Sequence, residues 1–168
     1  DASKVDPEIL RNIKAAALVE RNGGDYRIYL GRVFADDPAF TDSVNNWAVE
    51  EVQHGMALGR WAQLADPSWD FDAAFDRFRT GYKLPLDASS SVRGSQAGEM
   101  MARCIVETGT SSYYSALKDA TEEPVLKQVC TKIAADEFRH YKLFYEHLRR
   151  CLQRDRLSRW ARLRIGWG

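Results

Sequence analysis

The chain has three histidines, and two of them follow a glutamate by three positions: Glu51-Val52-Gln53-His54 and Glu137-Phe138-Arg139-His140. On a helix a three-residue step leaves two side chains about 60° apart on one face, so each pair can reach a single cation. Taken singly, either pair reads equally well as a helix-surface pair. Two further glutamates, Glu20 and Glu107, stand on apolar stripes, where an unpartnered carboxylate would cost several kcal/mol. The offsets join all six residues. Glu107 lies 87 positions after Glu20, Glu137 lies 86 after Glu51, and His140 lies 86 after His54. A quasi-repeat of Glu followed by Glu-x-x-His, folded as two packed hairpins, brings four carboxylates and two imidazoles together, which is the ligand set of dinuclear carboxylate centres in helical bundles. Oxygen-rich ligation with two imidazoles and no thiolate favours iron or manganese over structural zinc. The expected cofactor is therefore a pair of Fe ions, with Mn as the alternative at one or both positions.

Other chemistry-bearing residues have plainer readings. His147, one heptad after His140, reads first as a hydrogen-bonded core histidine and only second as a ligand. Cys104, Cys130 and Cys151 form an odd set without a CxxC pair and pack as small apolar residues. Trp47 and Trp61 belong to the core. Tyr113 and Tyr114 follow Glu107 by six and seven positions; packing is their first reading and electron or radical transfer their second. Gly23 and Gly24, one turn past Glu20, are expected to leave room beside the site for O₂ or substrate.

The elements that must carry these residues are helices. Apolar residues recur at three and four, and strand signals are almost absent. Asp6-Pro7 is a helix start, and a first helix is expected over 7–33, bent or opened at Asn22-Gly23-Gly24. Asp37-Pro38 opens a second helix that Asp66-Pro67 ends. Residues 66–92 read as a crossover containing one short amphipathic helix (Phe71, Phe75, Phe78, Tyr82). A third helix is expected over 92–120, and Thr121 followed by Pro124 starts a fourth that carries Glu137, His140, His147 and Cys151. Hairpin, long crossover, hairpin makes an all-α four-helix bundle with one crossover connection.

Length and composition agree with a single domain over 1–168, the bundle at about 7–152 and a basic amphipathic tail at 153–168. The 168 residues are 45% hydrophobic and 29% charged, which excludes disordered and collagen-like classes. No apolar run is long enough to span a bilayer as a helix. The odd cysteine count and the lack of a signal-like segment suggest a cytoplasmic setting. Net charge is zero, yet residues 145–168 hold seven Arg and two acids, leaving the body mildly acidic. That tail suits a closing helix, an acidic carrier protein, an anionic membrane surface or an interface left open where the chain stops. Nucleic acid is not an expected partner, because the body is acidic and no reading motif occurs.

The segments CTKIAADEFRH at 130–140 and WAVEEVQHG at 47–55 resemble the fourth-helix and second-helix ligand motifs of the soluble acyl-carrier-protein desaturases, members of the ferritin-like di-iron superfamily. The resemblance covers about residues 20–145. It implies a ferritin-like bundle with metal ligands at Glu20, Glu51, His54, Glu107, Glu137 and His140, with Glu51 and Glu107 or their counterparts able to bridge. It also implies that Thr110 sits beside the oxygen-binding face and that Asp136 orients a ligand histidine. The activity implied is an O₂-dependent oxidoreductase that desaturates or hydroxylates a small or acyl substrate, fed by an external electron donor and built as a homodimer. Other ferritin-like relatives share the ligands, so two alternatives stand beside it: a ferroxidase or peroxide reductase of rubrerythrin type, and a non-enzymatic metal-binding interaction module.

Overall fold

The computed structural model describes residues 5–155 and Trp160. Within these residues it holds six helices and no strand: α1 (Pro7–Arg21), α2 (Gly23–Val33), α3 (Pro38–Ala65), α4 (Phe71–Gly81), α5 (Gln96–Ala120) and α6 (Pro124–Arg154). Helix starts follow local chemistry. Asp6, Asp37 and Glu123 accept backbone N–H groups of Glu8, Phe40 and Leu126, each with proline next in sequence, and Asp70 caps α4 through Ala73. Glu123 rather than Thr121 therefore caps α6, while Thr121 ends α5.

Two boundaries differ from the periodicity. The first arm is two helices, broken at Asn22, whose backbone N–H bonds Val19 and Glu20 carbonyls. The break accompanies a close approach: a Cβ on Gly23 would collide with Glu51 Cβ. Gly23 is thus filled space against α3, not the opening expected there, whereas Gly24 has nothing within 4 Å. Helix α5 begins at Gln96, four residues later than its apolar pattern suggests, because Ser95 caps Gly98 and Gly94 turns the chain at φ 80°. Ser91 is held outside the helix, donating its hydroxyl to buried Glu99 at 2.7 Å.

Two apolar clusters fill the bundle. One gathers Leu30, Phe40, Trp47, Met100 and Phe144 from α2, the start of α3, the start of α5 and the end of α6. The other gathers Ile13, Leu58, Tyr114, Leu126 and Ile133 from α1, the end of α3, the end of α5 and the start of α6. So α3 and α5 run the same way, and the 66–95 connection must travel the length of the bundle. Along it α4 packs on the first arm: Arg21 stacks over Phe71 and Phe75 and pairs with Asp72 at 2.6 Å. In every helix arm the residues between the two clusters are polar: Glu20, Glu51, His54, Glu107, Glu137 and His140. The three cysteines are free and buried. No helix among the described residues is long and apolar enough to cross a membrane. Beyond Asp155 the expected basic tail lies outside the described residues, apart from Trp160.

Candidate metal centre

The polar layer brings the six predicted ligands into two overlapping groups. Glu20, Glu51, His54 and Glu137 form one, and Glu51, Glu107, Glu137 and His140 the other, each with one ligand atom per residue within 4.8 Å of the rest. Glu51 and Glu137 belong to both. Glu107 falls in one group only, and the residue shared with Glu51 is its counterpart Glu137, for a geometric reason: α3 and α6 each carry a Glu-x-x-His, and each glutamate reaches the other helix's histidine. Glu51 Oε1 lies 3.1 Å from His140 Nδ1 and 3.8 Å from His54 Nδ1. Glu137 Oε1 lies 3.2 Å from His54 Nδ1 and 3.8 Å from His140 Nδ1. Glu107 Oε2 reaches only His140, at 3.7 Å, and Glu20 Oε2 only His54, at 3.6 Å.

Hydrogen bonding shows which atoms are left for a cation. Each histidine uses Nε2 to bond a carboxylate of the opposite helix: His54 bonds Asp136 at 3.1 Å and His140 bonds Glu50 at 2.8 Å. Both rings consequently turn Nδ1 inward, the arrangement in which an outer carboxylate fixes the tautomer of a metal ligand. Nδ1 of His54 and His140, Oε2 of Glu20 and Oε1 of Glu51 and Glu137 are buried with no hydrogen-bond partner. Buried polar atoms are nearly always satisfied, so five orphans converging on one layer fit a bound ion rather than a core. The shortest of their separations, 3.1 and 3.2 Å, match the edges, roughly 3.0–3.4 Å, of a coordination shell with about 2.1 Å bonds, and the others, at 3.6 and 3.8 Å, are somewhat longer.

Left to one another, these groups hold protons where isolated ones would not. Burial, with the Glu137 carboxylate adding to it, pushes Glu107 up to about 8 against the opposing pull of the His140 ring. Burial likewise raises Glu20 and Glu51, the latter well above the usual range with Glu20 beside it. Burial favours the neutral ring of His54, yet the carboxylates of Glu137 and Glu20 beside it carry it up to about 10, and His140 is driven higher still by Glu107, Glu137 and Glu51. Glu137 moves the other way: burial opposes its charge, but the imidazoles of His140 and His54 beside it hold it far below the carboxylate range.

Around this layer, Thr110 donates its hydroxyl to Glu137 Oε2 at 2.8 Å, and Arg139 spans Asp136 and Glu50 from the surface. Glu50 has the same task as Asp136 and went unnoticed in the sequence, although the doublets Glu50-Glu51 and Asp136-Glu137 stand at the same 86-residue offset as the ligands. His147 lies apart from both groups: Arg150 donates to its Nδ1 at 3.0 Å, and its ring meets Phe40 edge-on. Tyr114 is fully buried and donates to Glu20 Oε1 at 2.6 Å. A separate apolar cavity of about 490 Å³ lies along the α5–α6 hairpin, lined in part by Met101, Thr108, Tyr141 and Tyr145, with Thr108 and Tyr141 directly following Glu107 and His140. Compared with known protein families, curated proteins and solved structures, the chain gives no match.

Proposed function

We propose that this chain is a ferritin-like di-iron oxidoreductase that uses O₂ to desaturate or hydroxylate an apolar organic substrate. The observation that carries the reading is the convergence of five partnerless buried ligand atoms on one layer shared by all four arms of the bundle. Bound there, two iron ions would supply the electrons that reduce O₂ and the oxidising power that removes hydrogen from a substrate. The chain supplies the rest. Glu51 and Glu137 would join the two ion positions, Glu20 and His54 would complete one, and Glu107 and His140 the other. Asp136 and Glu50 hold the imidazoles in register. Thr110 presents a hydroxyl that can hand a proton to Glu137 Oε2. The apolar clusters on either side exclude water from the layer, and the α5–α6 cavity is of a size for a small hydrocarbon or ring compound.

The test is metal content by elemental analysis after expression with Fe, Mn and Zn supplied, then O₂ addition to the anaerobic ferrous protein. About two iron or manganese ions per chain, with O₂ uptake and an absorption band of oxidised dinuclear iron, is the expected result. A single tightly held zinc, or no metal, overturns the reading. O₂ uptake that no organic compound accelerates would move the assignment to a ferroxidase.

A further inference from the structure

Four buried atoms without a hydrogen-bond partner lie outside the ligand set: the Trp47 indole N–H, both amide atoms of Asn22, and Nε of Arg103. The last three come together. Asn22 is 2% exposed at the break of the first arm, and Arg103 is 7% exposed on α5. Three contacts fix the register of these two arms. The Tyr29 hydroxyl bonds Glu99, the Arg103 guanidinium stacks over the Tyr26 ring at 4.7 Å, and Tyr114 bonds Glu20. The arms are therefore antiparallel, and Asn22 stands opposite the stretch of α5 between Arg103 and Tyr114, which holds Glu107. The nearest carboxylate does not satisfy Arg103. Glu99 Oε1 is 4.0 Å from Nε, outside hydrogen-bonding range, and Glu99 Oε2 already accepts from Tyr29 at 2.8 Å and Ser91 at 2.7 Å. A guanidinium buried for the fold alone is hydrogen-bonded, because an uncompensated charge in the interior is expensive.

We propose that Arg103 and Asn22 anchor the carboxylate of a small organic acid. Nε and one Nη of a guanidinium form a flat fork that matches two carboxylate oxygens, and Asn22 Nδ2 adds a further donor. Asn22 Oδ1, the one orphaned acceptor of the three atoms, takes a hydroxyl of the acid or a water. The placement also sets the length of the acid. Arg103 precedes Glu107 by four residues, about 6 Å along α5, so the part of the molecule brought to the polar layer lies about one benzene ring's length from the carboxylate. Tyr26 shares a 2.6 Å hydrogen bond with exposed Tyr82, and entry from solvent passes this pair. That the acid is what the iron pair oxidises rests on the di-iron reading; the binding itself does not.

Benzoate is the probe, titrated calorimetrically into metal-free protein so that no ion competes for the carboxylate, with benzyl alcohol and inorganic phosphate as controls. The expected result is one benzoate per chain, with both controls at least about tenfold weaker. R103M and N22D should each lose about 10- to 100-fold in benzoate affinity, the second because it keeps the shape of the side chain without its N–H donors. R103K should retain part of the affinity, since it keeps the charge without the fork. Melting temperature separates an anchor from a strut. Removing an unpaired buried charge should leave R103M at least as stable as the unaltered protein, whereas an ion pair serving the fold would melt lower when broken. No benzoate binding, phosphate bound as tightly as benzoate, or affinity unchanged in R103M and N22D overturns the proposal whatever metal the chain holds. So does an R103M that melts well below the unaltered protein while N22D binds benzoate normally. Benzoate held by these two residues in a chain that takes up no iron leaves the anchor standing and removes the di-iron reading.

Discussion

At the scale of single residues, the polar layer divides its glutamates into those shared by both candidate ion groups and those belonging to one, and the two kinds should behave differently. Glu51→Ala removes an atom common to both groups and should take bound metal from about two ions per chain to nearly none. Glu20→Ala and Glu107→Ala each spoil one group and should leave about one, which elemental analysis of the purified variants distinguishes. The outer carboxylates act through the histidines. Glu50→Ala and Asp136→Ala free an imidazole Nε2 and should each weaken metal binding by about 10- to 100-fold, read by competition with a chelator. Equal losses from the two are expected, since the bonds they make are reciprocal across α3 and α6. The predicted role of Asp136 came from a motif, but that of Glu50 came only from seeing which helix faces which.

At the scale of elements, glycines govern how closely the arms approach. Gly55 faces the backbone of Arg21, so that a Cβ there would collide with α1 one residue from Glu20. Gly55→Ala should cost about 1–3 kcal/mol and loosen metal binding together with the fold, as measured by denaturant unfolding and metal content. Gly24 sits inside α2 with open space around it, so Gly24→Ala should stabilise the protein by about 0.5–1 kcal/mol through helix propensity and reduced freedom of the unfolded chain. Two glycines with the same sequence appearance therefore give opposite signs. The break at Asn22 belongs to this scale too. The Asn22-Gly23-Gly24 run marks the place in the sequence, and the close seating of Gly23 on the Glu51 Cβ accompanies the division of the arm in two.

At the scale of the whole molecule, the bundle is a compromise between a packed interior and a charged layer across its middle. Without metal, the layer is stabilised by protons. Glu107 is shifted from 4.5 to about 8, so its contribution is full below pH 4.5 and is lost as pH rises through 8. His54 is shifted from 6.5 to about 10, so its contribution is full below pH 6.5 and is lost as pH rises through 10. Both signs agree: the metal-free protein should become less stable from pH 7 to 9. Metal binding requires deprotonated ligands and strengthens over the same range. The gap in melting temperature between loaded and metal-free protein should therefore widen from pH 7 to 9, which a scanning calorimeter reads directly. At 100 times its dissociation constant a bound metal adds about 2.7 kcal/mol.

Much of this was legible in the sequence, and the reason is local geometry. An i to i+3 spacing puts two side chains on one helix face whatever surrounds the helix, and an 86-residue offset repeats that face, so the convergence of the six Glu and His residues and the all-helical class could be read from residue positions alone. Capping aspartates before prolines located two helix starts for the same reason. What the sequence left undecided depends on which helices are neighbours and how far apart they lie. Glu137 rather than Glu107 is shared because α6 packs beside α3. Gly23 is contact rather than space because Glu51 lies beneath it, α5 starts late because Ser91 is bonded to Glu99, and Tyr114 meets Glu20 across 94 residues of chain. Local spacing has no information about such distances; they are set only when the hairpins pack and the two apolar clusters close around the layer between them.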